Sequence, residues 1–134
     1  MKRGTVIFFR IVFLLYIAAV LYLCFGHFDN VPGVKWSYFG IPTDKIVHFG
    51  MFFPFVILSN WAIGRRPEKW YLGVLAGILL GLLGLGIAAL TEIGQNLLTD
   101  WRVGDVADYK ADQLAVEIST ILVIILNIFR SLRK

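Results

Sequence analysis

Four long apolar runs dominate this chain and restrict what it can fold into. They cover residues of about 5–26, 44–63, 70–95 and 111–129, and each approaches the ~20 apolar residues that span ~30 Å of hydrocarbon. A backbone in lipid has to satisfy its own hydrogen bonds, which favours helices. A closed barrel would need alternating segments of about ten residues, and these runs do not alternate. The sequence therefore predicts an all-α, integral membrane four-helix bundle.

Composition supports a membrane environment. Hydrophobic residues make up 58% of the 134 positions and charged residues 16%, against roughly 25% charged residues in soluble domains. A soluble chain of this size could not hide so much apolar surface in one core, whereas lipid can act as its apolar solvent. We predict a single membrane domain over residues 1–134, with membrane lipid as a partner.

The basic residues are distributed as in a multi-pass membrane protein. The formal net charge is +4, but the basic residues stand at the ends of apolar runs instead of forming a stripe, which argues against nucleic acid as a partner. Most of them belong to the two chain ends and the middle loop, whereas most aspartates belong to the other side. The positive-inside rule then predicts an inner-membrane protein with both termini in the cytoplasm. The basic residues assigned to the cytoplasmic side are the nine residues Lys2, Arg3, Arg10, Arg65, Arg66, Lys69, Arg130, Arg133 and Lys134.

The third apolar run contains a ladder of glycines. Gly73, Gly77 and Gly81 follow one another at a spacing of four residues. This small-xxx-small pattern allows two helix backbones to approach closely in a membrane, so we expect the third helix to pack tightly against a neighbour.

Residues 27–43 form an outer segment that mixes aromatic residues with turn formers. Trp36, Tyr38 and Phe39 are typical of chain that lies along the bilayer surface. Two roles are open for this segment, a lid over a site and an ordinary aromatic anchor.

Ionisable groups crowd at the outer ends of three predicted helices. His48 follows Asp44 at the helical spacing i, i+4, and Glu92 precedes Gln95 at i, i+3. Asp105, Asp108 and Asp112 occur at i, i+3 and i+7, and they would line one face if this segment is helical. The full set of predicted ligand-binding residues is Asp44, Lys45, His48, Glu92, Gln95, Arg102, Asp105, Asp108 and Asp112.

These groups predict one polar pocket that opens to the outer face. A charge within a span costs at least ~2.5 kcal/mol, so such groups usually face inward and pair. Arg102 can clamp an anionic group. Glu92, His48 and one aspartate can handle protons or bind a metal, and Glu92 and His48 are the candidates for acid–base catalysis. No cofactor is predicted. A divalent cation is compatible with the pocket, and Asp105 and Asp108 are its candidate ligands. The excess of acid weakly favours a cation or a proton as the arriving species.

A purely structural role is the alternative for the same residues. Arg102 would then pair with Glu92, and Lys45 with an aspartate, so that the ion pairs hold the helices together. Both interpretations remain open at the level of the sequence.

Two blocks of this constellation resemble the VanZ-like membrane proteins. Asp44-Lys45-Ile46-Val47-His48-Phe49 is similar to the D-K-x-x-H-F signature that opens the second helix of that family. Glu92-x-x-Gln95, followed by Arg102-x-x-Asp105-x-x-Asp108, resembles the second block of the family. The likeness extends over roughly residues 40–120. It implies a bundle of about four helices and makes these residues the polar positions of the family.

The chain departs from the family pattern after Asp108. Where the family usually has N-x-x-G-x-x-x-G, this sequence has Asp112, Ala115 and Ser119. Alanine and serine keep the close-packing role of glycine, but the aspartate adds negative charge to the pocket. If the asparagine of the family contacts a ligand, the ligand or the protonation state of the pocket is expected to differ between this protein and the family.

Three functions follow as hypotheses. The resemblance implies a bacterial envelope protein associated with resistance to teicoplanin-type glycopeptides, and such a protein would bind an anionic, lipid-linked or cell-wall-derived group through Arg102 and Lys45. The second hypothesis is a membrane-interface enzyme with Glu92 or His48 as acid or base. The third is a structural module for partner proteins.

Overall fold

A computed structural model describes residues 2–26, 37–101 and 104–133 as four packed helices and a small hairpin. All four helices are long and apolar enough to cross a membrane, which confirms the predicted all-α polytopic architecture. The elements in chain order are α1 (Arg3–Phe25), β1 (Ser37–Tyr38), β2 (Ile41–Pro42), α2 (Thr43–Ile63), α3 (Trp70–Leu98) and α4 (Val106–Leu132).

The fourth helix begins earlier than its predicted apolar span. α4 starts at Val106, whereas hydropathy marks a start near residue 111. The side chain of Asp105 caps the helix, because its Oδ1 accepts a hydrogen bond from the backbone N–H of Ala107 at 2.8 Å. Asp108 lies in the first turn, where the helix dipole favours an acidic group. Hydropathy alone misses this polar turn, although the backbone is already helical there. α3 similarly extends to Leu98, past the predicted end at 95.

The glycine ladder of α3 is the contact surface for α4, as predicted. A Cβ atom on Gly77 would lie 2.5 Å from Cγ1 of Ile124, and one on Gly81 would lie 2.5 Å from Oγ1 of Thr120. An added Cβ at either position would therefore force the facing side chain, or the helix that carries it, to shift. Gly86, on the same helix, faces away from this contact, since a Cβ atom there would have nothing within 4 Å.

The apolar core lies between α2, α3 and α4. Phe52, Phe55 and Val56 of α2 are fully buried, as are Val116 and Val123 of α4. α1 packs mainly on α2 and leaves most of its apolar surface exposed, as expected for a helix at the edge of a bundle in lipid.

Two buried asparagines join α2 and α4 near the end of the bundle that carries the chain termini. The amide of Asn127 donates to Oδ1 of Asn60 at 3.0 Å, and the amide of Asn60 donates back at 3.4 Å. The two buried amides thus bond to each other, and they fix the register of the two helices.

The described part of the outer segment 27–43 is a two-stranded hairpin. Ser37 pairs with Pro42 and Tyr38 with Ile41 in antiparallel register. Phe39, at the turn, has a φ of 52° and is fully exposed. Residues 27–36 lie outside the described residues, so the lid and anchor roles of the whole segment stay predictions.

Candidate functional site

Three helices bring buried ionisable side chains together at the end of the bundle away from the termini. α2 begins there, α3 ends there and α4 begins there. His48 of α2 is 6% exposed, Glu92 of α3 is 8% exposed and Asp112 of α4 is 0% exposed. We call these three residues the buried triad. They come from positions far apart in sequence, so tertiary packing alone creates the group.

His48 is the centre of the buried triad. Its Nδ1 lies 3.1 Å from Oδ1 of Asp112 and 3.7 Å from Oε1 of Glu92. Its other ring nitrogen, Nε2, lies 3.5 Å from Oδ2 of Asp108. One imidazole therefore has carboxylates on both of its nitrogen sides, from α3 and α4.

The two oxygens of Glu92 are in different situations. Oε2 accepts a hydrogen bond from the backbone N–H of Asp105 at 2.9 Å. Oε1 is buried and accepts no hydrogen bond from the residues within 2–26, 37–101 and 104–133. An unsatisfied buried acceptor typically costs ~1–3 kcal/mol, and more when it is charged. This oxygen is therefore the atom of the cluster that most needs a further partner.

Lys45, in the first turn of α2, contacts three carboxylates. Its Nζ is 3.1 Å from Asp44 and 3.0 Å from Asp105, and it also contacts Asp108. The predicted pairing of Lys45 with an aspartate is thus confirmed. The pKa of Asp105 is held below its ordinary value, first by the N–H of Ala107 and then by the Lys45 ammonium.

The described cluster carries more acid than base. Five carboxylates, on Asp44, Glu92, Asp105, Asp108 and Asp112, surround one lysine and one histidine. Even with the imidazole protonated, a formal negative charge remains. Such a site electrostatically favours a cation or a proton over a bare anion.

One predicted site residue, Gln95, stands apart from the cluster, and another, Arg102, is not among the described residues. Gln95 is buried but turns toward α1, where its amide donates to the carbonyl of Cys24 at 3.0 Å. Arg102 lies outside the described residues, so its predicted roles as an anion clamp and as a partner of Glu92 stay predictions. The predicted metal ligands Asp105 and Asp108 contact Lys45. The side chains whose possible metal-binding atoms lie close together are those of the buried triad.

Asn96 and Gly104 support the site although the sequence patterns did not single them out. The backbone N–H of Gly104 donates to Oδ1 of Asn96 at 2.8 Å. A Cβ on Gly104 would overlap the carbonyl oxygen of Glu92, so glycine is required for this loop to reach the end of α3. Asn96 is close to Glu92 in the sequence and Gly104 is next to Asp105. This proximity is the signal from which their role could have been predicted.

A cavity opens beside Glu92. It has a volume of about 260 Å³ and is lined mainly by apolar atoms, with Glu92, Asn96 and Asp105 as its polar members. It lies between the end of α3 and the beginning of α4. Glu92 is the member of the buried triad that lines this cavity.

Asp112 begins a row of buried small or polar residues on α4. Asp112, Ala115 and Ser119 are all 0% exposed, which agrees with the close-packing role expected for the last two. The carboxylate of Asp112 thus lies in the interior of the bundle.

No protein-family model, no curated protein and no solved structure matches this chain. The arguments about its function therefore depend on the geometry of the site and on the motifs of the sequence.

Proposed function

We propose that this chain is a VanZ-like integral membrane protein of the bacterial cell envelope, and that its polar cluster binds an anionic, lipid-linked or cell-wall-derived group. The observation that carries the proposal is the convergence of buried ionisable side chains from three helices, with one carboxylate oxygen of Glu92 left without a hydrogen-bond donor among the described residues. Groups kept at a cost in stability are usually kept for function.

The proposed orientation places the cluster at the outer face. Nine basic residues belong to the two chain ends and the loop between α2 and α3, with Glu68 as the acid among them. By the positive-inside rule these parts face the cytoplasm. A ligand would then reach the cluster from the cell-wall side, where altered surface chemistry can underlie glycopeptide tolerance.

The charge of the cluster refines the proposed ligand. Lys45 already contacts three carboxylates, so a bare anion would meet net repulsion. We therefore expect the anionic group to bind together with a cation. A phosphate ester of a membrane lipid fits this requirement, since phosphates in protein sites are commonly accompanied by a divalent ion.

A binding assay on the purified full chain tests the proposal. The probes are a short-chain polyprenyl phosphate and a soluble peptidoglycan fragment, each titrated in detergent with and without Mn²⁺ while tryptophan fluorescence is followed. We expect binding of at least one probe with Mn²⁺ present. In Lys45→Met we expect a loss of roughly 10- to 150-fold, because a hydrogen bond to a charged group contributes ~1.5–3 kcal/mol.

Lys110→Met is the matched control. Lys110 is exposed on the first turns of α4, so this change removes the same charge without touching the cluster, and binding should be preserved. Absence of binding for both probes, or equal losses in the two variants, would contradict the proposed ligand.

A membrane-interface enzyme is the second candidate function. The observation that favours it is the 3.7 Å approach of His48 Nδ1 to Glu92 Oε1, because an imidazole beside a carboxylate can move a proton. Mass analysis of the probes after incubation would detect turnover. Turnover abolished in both His48→Gln and Glu92→Gln would support catalysis, and intact probes would exclude it for these substrates.

A further inference from the structure

We propose that the buried triad of His48, Glu92 and Asp112 binds a divalent first-row transition-metal ion, either Zn²⁺ or Mn²⁺. This inference deepens the proposed function and rests on it in one respect: the ion would be the cation that accompanies the anionic ligand. The metal site itself stands on separate geometric observations.

The first observation is the spacing of the ligand atoms. One nitrogen or oxygen from each residue lies within 4.8 Å of the others. Nδ1 of His48 is 3.1 Å from Asp112 and 3.7 Å from Glu92. Two atoms bound to one ion at ~2.0–2.2 Å lie ~3.0–3.5 Å apart in tetrahedral or octahedral geometry. The two distances from Nδ1 are within a few tenths of an ångström of this range, and the ligand atoms of Glu92 and Asp112 lie within 4.8 Å of each other.

The second observation is the oxygen of Glu92 that faces His48. The Glu92 side chain is 10% exposed, and its Oε1 has no donor among the residues that the structure describes. Nδ1 can carry a single hydrogen, and Asp112 is the nearer acceptor. The imidazole therefore cannot satisfy both carboxylates, whereas a metal ion at this point would contact all three groups.

The third observation concerns the far side of the imidazole. Nε2 of His48 lies 3.5 Å from Oδ2 of Asp108. A metal-bound histidine almost always gives its other N–H to a carboxylate or carbonyl, which fixes the ring. Asp108 is therefore a positioning residue for the metal site, and Nδ1 is the nitrogen that faces the ion.

The donor set decides the class of metal. One imidazole nitrogen with two carboxylates suits Zn²⁺ and Mn²⁺, whereas Mg²⁺ and Ca²⁺ favour oxygen-only surroundings. Three protein ligands leave at least one coordination position open. A cavity of about 260 Å³ adjoins the triad at Glu92, which is one of its lining residues.

Metal titration of the full chain tests the site. The protein in detergent is stripped with a chelator and titrated by calorimetry with ZnCl₂ or MnCl₂ alone, without any lipid probe. We expect one ion to bind per chain, with affinity reduced at least ~10-fold in Glu92→Gln and in His48→Gln, and ~10-fold in Asp108→Asn through the loss of positioning. Asp100→Asn, which removes an exposed carboxylate at the same end of the bundle, should bind as the wild type does.

Cobalt substitution keeps the test decisive if a variant folds poorly. Co²⁺ in the wild-type protein should give visible absorption bands that Zn²⁺ displaces, and no variant is needed for this result. The metal site is overturned if the stripped wild type binds neither Zn²⁺ nor Mn²⁺ stoichiometrically, or if folded Glu92→Gln binds them unchanged. Metal binding without any binding of the lipid or cell-wall probes would leave the metal site standing and remove only the proposed anionic ligand.

Discussion

Gly73 of α3 lies directly against Asn127 of α4: a Cβ on Gly73 would be 2.9 Å from Cβ of Asn127 and 3.2 Å from Cγ of Pro67. A Cβ atom cannot move away by a change of rotamer, so the two backbones would have to separate. We expect Gly73→Ala to destabilise the protein by ~1–3 kcal/mol, measured as a shift of the thermal unfolding midpoint in detergent. Gly86→Ala is the control, because that position has open space and alanine favours a helix by up to ~1 kcal/mol over glycine. Equal effects of the two changes would contradict the close α3–α4 contact.

The reciprocal amide pair of Asn60 and Asn127 should show energetic coupling. Each amide bonds to the other in the interior. Replacing Asn127 by alanine removes the partner of Asn60, whereas in Asn60→Ala the Asn127 amide keeps the carbonyl of Gly73 at 3.4 Å. In a double-mutant cycle of unfolding free energies, we expect a coupling of ~0.6–1.7 kcal/mol, the range seen for hydrogen bonds between membrane helices. Strict additivity of the two alanine variants would mean that the pair does not hold α2 to α4.

The orientation across the membrane can be tested by cysteine labelling. In a Cys24→Ser background, Glu68→Cys places a thiol in the exposed loop between α2 and α3, and Asp100→Cys places one just after α3. An impermeant maleimide added to intact cells should label Asp100→Cys and spare Glu68→Cys until the cells are opened. The reverse pattern would invert the proposed topology and put the polar cluster in the cytoplasm.

The depressed pKa of Asp105 predicts a pH dependence of stability. The charged form of this residue accepts the N–H of Ala107 and contacts Lys45, so its folded-state pKa lies below the ordinary value of 3.8. Its contribution is therefore present above that value and is lost as the pH falls through the folded pKa. We expect Asp105→Asn to melt at a lower temperature than the wild type at pH 6, with the gap closing below pH ~4. A gap that widens in acid would contradict the assignment.

The sequence predicts the helices well because lipid leaves the backbone few alternatives. Four apolar runs became four helices, and the glycine ladder of Gly73, Gly77 and Gly81 became the α3–α4 contact. α4 begins before its predicted apolar span for a physical reason. Its first turn is polar and is held by the cap of Asp105, which hydropathy does not register.

The partners within the site were less predictable than its members. Helical spacing placed His48 on the face of Asp44, yet the imidazole contacts Asp112 of another helix, because the rotation of α2 about its axis is set by packing. In the same way, Gln95 is i+3 from Glu92 but bonds to α1. Spacing within one helix cannot say which neighbouring helix each side chain meets.

The central claim is that the polar cluster is a ligand site and not a network kept for stability, and the melting temperature of Glu92→Gln tests it most directly. Oε2 of Glu92 accepts the N–H of Asp105, and a glutamine oxygen can keep that bond, while the charge on the unsatisfied side is removed. The matched control is Glu68→Gln, an exposed carboxylate in the loop between α2 and α3 whose loss should change stability by less than ~0.5 kcal/mol.

With the protein stripped of metal, we predict that Glu92→Gln melts at the same temperature as the wild type or higher. A fall corresponding to ~3–5 kcal/mol, the usual cost of breaking a buried ion pair, would contradict the account and make Glu92 part of a structural salt bridge.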